Sequence, residues 1–341
     1  MLMNRFELKE AALGKFKTIQ LIDNETRTKF EVALKGATPL SFDTHFDGKF
    51  FSVLDGFANE EELDKGSGAR NWIMTPFANR IRNGKYFFYG EEYQMQPVPP
   101  RNSVIHGYTS HELFEIDNVE TEKEFIKVAL LNKSIRPNVY KGYPFSLDVR
   151  VTFILSGTKV TINVAGKNTG CKPLPFFCGW HPYFKTSDKG IEHLILTIDA
   201  QSNILMDNNY LPLDGDEAYA RILDFPALNF QSQLKNVERI INGRIIDNCF
   251  ANLYFDDEGI ARSILFDPEN NLEITLFQKG GVTLVFTGDT LKERKRKSLA
   301  IEPMQALTNT FNRSELIDQF TIDAGNEKSF NFGFEVKRKL I

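Results

Sequence analysis

Ser146-Leu-Asp-Val-Arg-Val-Thr-Phe-Ile-Leu-Ser-Gly157 decides the fold class. In it Leu147, Val149, Val151, Phe153 and Leu155 alternate with Asp148, Arg150 and Thr152, the period of two that marks a strand with one face in a core and one in water. The next segment, TKVTINVAG, continues the alternation with Val160, Ile162 and Val164. At the C-terminal end SFNFGFEVK does so again with Phe330, Phe332, Phe334 and Val336. Turn-forming clusters lie between β-prone runs at Asp23-Asn24-Glu25, Tyr89-Gly90-Glu91, Asp256-Asp257-Glu258-Gly259 and Asp267-Pro268-Glu269-Asn270-Asn271, which predicts antiparallel hairpins. Thirty Phe and many β-branched residues suit a pleated, half-buried surface better than a helix bundle. The expected class is all-β, a large antiparallel sandwich. Helical periodicity is poor, the two candidates being the first dozen residues and Phe57 to Asp64. No Pro/Gly-rich linker divides the chain, so residues 1–341 are read as a single domain.

Composition excludes several functions. A formal charge of −4 over 341 residues gives no basic field for nucleic acid or an anionic membrane. No run approaches the roughly 20 apolar residues of a membrane helix. The N-terminal MLMNRFELKEAALGKFK scatters charges where a signal peptide needs an apolar stretch. Cys171, Cys178 and Cys249 form neither a disulfide framework nor a CxxC pair, and with the missing signal this predicts a cytoplasmic protein. Gly66-Ser-Gly68 lacks the frame of a nucleotide loop. The run Lys292-Glu-Arg-Lys-Arg-Lys297, between VTLVFTGD and SLAIEPM, reads as a solvated hairpin turn.

Chemistry is sought where polarity is costly. The five His residues show no metal-ligand spacing. His181 lies in PFFCGWHPYF, where an imidazole needs a partner or a purpose. Glu302, in the apolar LAIEPM, is a carboxylate whose burial would raise its pKa and make it a stronger base. Arg80 in PFANRIRNG and Asp247 in IIDNCF are charges in largely apolar segments, each equally suited to a structural ion pair. Alternation would place Arg82 on the same face as Arg80. His106 in SVIHGY ends an apolar stretch as a loop-mouth ligand or a turn residue would.

Together these segments resemble the aldose 1-epimerase, or galactose mutarotase, family. NRIRNGKY, IHG, GWHPYF, IIDNCF, GGVTLVFTGD and IEPMQALTNTFN occur in the family's order, and the likeness runs from Phe16 to Val336. It implies a β-sandwich with an open sugar cleft, Glu302 as general base, His181 as general acid, His106 assisting at the ring oxygen, and Arg80 and Asp247 binding sugar hydroxyls. The implied partner is a monosaccharide, and the reaction requires no cofactor or metal. After Glu302-Pro303 the sequence Met304-Gln305-Ala306-Leu307-Thr308-Asn309 departs from the commoner family pattern. That loop is expected to border the cleft and leaves hexose, pentose and deoxysugar open. An aromatic such as Trp180 or Phe77 could stack on the sugar, but none is assigned. Two alternatives stand beside this reading: a sugar-phosphate epimerase using the Lys/Arg run, and a sugar-binding sensor without catalysis. A glycoside hydrolase would need two opposed carboxylates.

Overall fold

The computed structural model describes residues 4–98, 103–234 and 239–339. Strands dominate; the two α-helices of the described residues, Glu60–Lys65 and Ile317–Phe320, are single turns. The N-terminal Phe6–Leu13, Phe16–Asp23, Thr28–Ala33, Thr38–Phe46 and Lys49–Ser52 form a five-stranded antiparallel meander. An eight-stranded sheet follows in the order Ile195–Ile198, Ile260–Asp267, Leu272–Lys279, Glu327–Arg338, Lys159–Asn168, Leu147–Ser156, Ile126–Ile135, Glu115–Thr121. A second such sheet carries Ala200–Ile204, Asp247–Leu253, Val282–Phe286, Leu299–Met304, Gly179–Trp180 and Ile73–Met74 in sequence across its face.

The period-two reading matches residue by residue. Along Leu147–Ser156 the five apolar residues are buried and the residues between them half-buried. That strand pairs in register with Lys159–Asn168, which pairs with the C-terminal Glu327–Arg338. Aromatic rings tie the three sheets together: Phe334 meets Phe42 of the meander at 4.9 Å, Trp180 at 5.9 Å and Phe184 at 5.5 Å. Edge and offset contacts of this kind add to the area term that dominates such a core.

Three expectations are corrected. From Phe6 the N-terminal helix candidate is a strand: Phe6–Leu13 pairs with Phe16–Asp23 along its whole length, residues 1–3 lying outside the described residues. Phe57 to Asp64 does contain a short helix, Glu60–Lys65, capped by Asn59, whose side chain accepts from the Glu62 amide. The Asp256–Gly259 turn forms, but its flanking strands belong to different sheets, so it crosses between layers rather than closing a hairpin. The 292–297 run does join two paired strands. It is only partly solvated, however, because Arg294 bonds buried Asp55, and Arg296 bonds Glu192 and Asp289. No helix of the described residues is long and apolar enough to cross a membrane.

Candidate active site

Strand register begins the site. Leu299–Met304 pairs Glu302 with Leu284, and Asp247–Leu253 pairs Asp247 with Phe286. Because Leu284 and Phe286 are two apart on the strand between, Glu302, Leu284, Phe286 and Asp247 share one face of the sheet. His181 enters from the neighbouring short strands, between Gly179–Trp180 and Tyr183–Phe184. Its amide donates to the Trp72 carbonyl at 3.0 Å and its carbonyl accepts from Asn71 at 2.9 Å. Its Nε2 lies 3.3 Å from Glu302 Oε1. Tyr183 stacks on a face of the imidazole, centroids 5.1 Å apart and planes at 18°.

His106 meets His181 edge to face at 5.2 Å. It holds a left-handed backbone, φ 59°, followed by Gly107 at φ 66°, where a Cβ would lie 1.9 Å from the Thr75 carbonyl oxygen. The glycine of the IHG segment is therefore required for the chain to pass beneath Thr75 and turn the histidine inward. Its Nδ1 lies 2.8 Å from the Met74 sulfur. Arg80 bridges to Ile105 through its backbone, bonds Asn79 Oδ1 at 3.1 Å, and sits 5.3 Å from the Tyr210 ring.

Glu302, His181, His106, Arg80 and Asp247 all line one cavity of about 290 Å³, with Trp72, Tyr183, Leu284 and Phe286 among its walls. That is near the lower end of ligand pockets, about 300 Å³. Larger cavities of about 850 and 580 Å³ lie elsewhere on the surface, and neither is lined by Glu302 or His181. No cluster of His, Cys, Asp or Glu among the described residues is arranged to hold a metal.

Burial governs the site's protonation. Desolvation pushes Glu302 well above the usual carboxylate range, the nearby Asp247 charge adds to this, and Arg80 opposes it. Desolvation pushes His181 down to about 4, with Arg80 acting in the same direction. Asp247 is raised by burial and pulled back by Arg80. Glu302 Oε2 and His181 Nδ1 are buried with no hydrogen-bond partner. Such orphans cost stability in a finished core and are expected where a ligand completes the bonding.

Several sequence expectations end differently. Arg82 does not share a face with Arg80; it turns away in a tight helical turn to pair with Asp207 at 3.2 Å. Trp180 and Phe77 are fully buried in the core, and the aromatics facing the cavity are Trp72, Tyr183 and Phe286. Residues 304–309 do not line the cavity. They brace it from behind: Asn309 donates its amide to the Arg80 carbonyl at 2.9 Å and accepts from the Arg82 amide at 2.9 Å, and Gln305 Oε1 accepts from the Cys178 amide at 3.2 Å. Sequence reading missed Leu284 and Phe286, although the alternation in VTLVF carries the signal once its register with Glu302 is known.

The sandwich fold is shared with solved structures of aldose-epimerase and galactose mutarotase homologues. Over nearly all of this chain it superimposes on the galactose mutarotase-like protein of Clostridium acetobutylicum, at TM-score 0.81 and 15% identity, covering 99% of this chain and 100% of that one. The galactose 1-epimerase of Lactobacillus acidophilus NCFM matches at TM-score 0.77 and 17% identity over the whole of both chains. The chain belongs to the aldose 1-epimerase family, whose profile matches residues 18–335. Among relatives in sequence, the uncharacterized protein YihR of Escherichia coli K12 is 26% identical over 78% of this chain and 79% of its own. Mouse galactose mutarotase is 26% identical over 48% of this chain, and the match spans 47% of the mouse protein.

Proposed function

We propose that the protein is a cofactor-independent aldose 1-epimerase that interconverts the α and β anomers of a free aldose. The observation that carries this reading is the contact of Glu302 with His181 at 3.3 Å in the wall of a cavity that also presents Arg80, Asp247 and His106. Opening a cyclic hemiacetal requires removing a proton from the C1 hydroxyl and delivering one to the ring oxygen. Glu302 takes the first and His181 supplies the second, so that the C1–O5 bond breaks and the aldehyde forms. Rotation about C1–C2 presents the other carbonyl face, and closure reverses both transfers.

The shifted pKa values fit one shared proton. Raising Glu302 and lowering His181 favours the carboxylic acid beside a neutral imidazole in the resting site. The catalytic form, carboxylate beside imidazolium, is its tautomer with the same total charge, reached by moving one proton across the existing contact. Sugar hydroxyls that bond Glu302 Oε2 and the ring oxygen that accepts from the imidazolium stabilise that tautomer. His106 assists at the ring oxygen, while Arg80 and Asp247 orient the sugar through its hydroxyls.

The cavity's charges favour an uncharged sugar over a sugar phosphate, because Lys65 is paired with Glu61 at 2.7 Å and Arg80 is matched by Asp247. Anomer exchange followed by magnetisation-transfer NMR over a panel of aldoses tests the proposal. Acceleration by the wild type and its loss in Glu302→Ala is the expected result. Sugar binding without acceleration would establish the sensor reading instead.

A further inference from the structure

The cavity has a neighbour across its Tyr183 wall. A second cavity of about 530 Å³ adjoins it, and the two share Lys65, Gly68, Tyr183, Thr290 and Leu291 as a common wall. Tyr183 is the centre of that wall. Its ring covers His181 and its hydroxyl donates to the Gly68 carbonyl at 3.1 Å. It lies within electrostatic reach of Glu302 and Asp247 on one side and of Asp55 and Arg70 on the other.

The second cavity is built from fixed groups. Asp55 and Arg70, 3% and 5% exposed, lie in its wall. Asp55 accepts from Ser298 Oγ at 2.8 Å and from Arg294, and Arg70 is held 5.0 Å over the Phe57 ring and 3.3 Å from Glu62. Lys292 and Glu293 of the charged run close its outer side. Four carboxylates and four cationic side chains line it, so it has no net charge to select an anion, yet it is dense in donors and acceptors. That is the lining expected for an uncharged polyhydroxyl group.

A sugar seated with C1 at Glu302 and its ring oxygen at His181 brings C5, the other neighbour of that oxygen, beside the imidazole that Tyr183 covers. In the pose that turns C5 toward Tyr183, the exocyclic carbon points to the common wall. We infer that the second cavity is a glycosyl subsite, and that the preferred substrates are reducing disaccharides whose second sugar is carried on O6. This rests on the epimerase reading and narrows its substrate class.

Anomer exchange and isothermal titration are measured with glucose, isomaltose (a 6-O-glucosyl aldose), maltose (a 4-O-glucosyl aldose) and glucose 6-phosphate. One or two added hydrogen bonds predict that kcat/KM and affinity for isomaltose exceed those for glucose by about fivefold to tenfold, whereas maltose shows no gain. Lys292→Ala and Glu293→Ala should each shrink the isomaltose-to-glucose ratio, and the double variant should bring it close to one. The inference is overturned if isomaltose is no better than glucose, if the ratio survives both substitutions, or if glucose 6-phosphate is the preferred ligand. If no sugar is accelerated, the epimerase reading fails separately, and the titrations still decide: tighter isomaltose binding that both substitutions erase supports the subsite, and equal binding of isomaltose and glucose overturns it.

Discussion

Trp180 and His181 are consecutive residues, both buried, at 0% and 7% exposure, yet they belong to two different environments. Trp180 lies between Phe332 at 5.8 Å and Phe334 at 5.9 Å, and its Nε1 donates to the Asn71 carbonyl at 3.1 Å. Every demand of that side chain is met inside the folded protein. One residue further the imidazole faces the cavity, and its Nδ1 and the Oε2 of its neighbour Glu302 lack hydrogen-bond partners. Burial therefore does not separate core from site here. Polar completeness separates this pair: Trp180 is finished by the chain, and the His181–Glu302 pair is left to be finished by a ligand.

The comparison is tested most severely at Glu302. Glu302→Gln keeps the shape and removes the base, so kcat should fall by about 10² to 10⁴, read by anomer exchange. Stability should move the other way. The folded-state pKa of Glu302 is raised, so its contribution is full below the ordinary carboxylate value and is lost as pH rises through the raised one. The melting temperature of Glu302→Gln should then gain on the wild type as pH increases; a gap that does not change with pH would contradict the buried, raised carboxylate. His181 has the opposite sign. Its value is lowered to about 4, so its contribution is full above the ordinary imidazole value and is lost as pH falls toward 4. Activity should follow the one-proton state of the pair: constant at mid pH, declining on the acid side through about 4 as the second proton binds, and declining on the alkaline side as the last one leaves.

Trp180→Ala probes the finished side. Removing a fully buried indole should cost about 3–5 kcal/mol of stability, measured by denaturant unfolding, whereas Glu302→Gln should cost none. Equal losses at the two positions would erase the distinction drawn between them.

Most of the fold was readable because strand alternation is local. Leu147 to Leu155 and Phe330 to Val336 declare their buried faces without knowledge of their partners. Phe6–Leu13 misled because Glu, Lys and Ala favour helix locally while pairing with Phe16–Asp23 decides the outcome. The Asp256–Gly259 turn was visible, but which sheet its second strand joins is a long-range fact. At the site, Glu302 and His181 stood out as polar residues in apolar runs, and the family likeness supplied their roles. Trp72 and Tyr183 could not be chosen among thirty Phe, ten Tyr and two Trp. The bracing of Arg80 by Asn309 joins residues more than two hundred apart in the chain.

Arg80 is the smaller-scale test of incompleteness. Among side-chain oxygens of the described residues it bonds that of its neighbour Asn79, leaving further donors for a sugar. Arg80→Met should raise KM by about tenfold or more, the value of a charged hydrogen bond, with a lesser effect on kcat. A large fall in kcat at unchanged KM would mean instead that Arg80 acts on the transition state.

The smallest effect is expected at Tyr210, and it shows how the chain prepares a group it leaves unfinished. Tyr210 holds a left-handed backbone, φ 59°, at the tip of a turn whose Asp207 accepts from the Asn209 and Leu211 amides at 2.8 and 3.0 Å. Arg82 anchors the same aspartate. The two arginines of NRIRNG are thus divided: Arg82 fixes the turn, and the turn holds an aromatic face against the guanidinium of Arg80. A partly exposed cation–π contact is worth about 0.5–1 kcal/mol, so Tyr210→Leu should raise KM roughly twofold to fivefold with kcat nearly constant. Tyr210→Phe keeps the ring and should restore the wild-type KM. If Phe fails where Tyr succeeds, the phenol rather than the ring face acts on the sugar, and Tyr210 becomes a ligand-contacting residue instead of a positioning one.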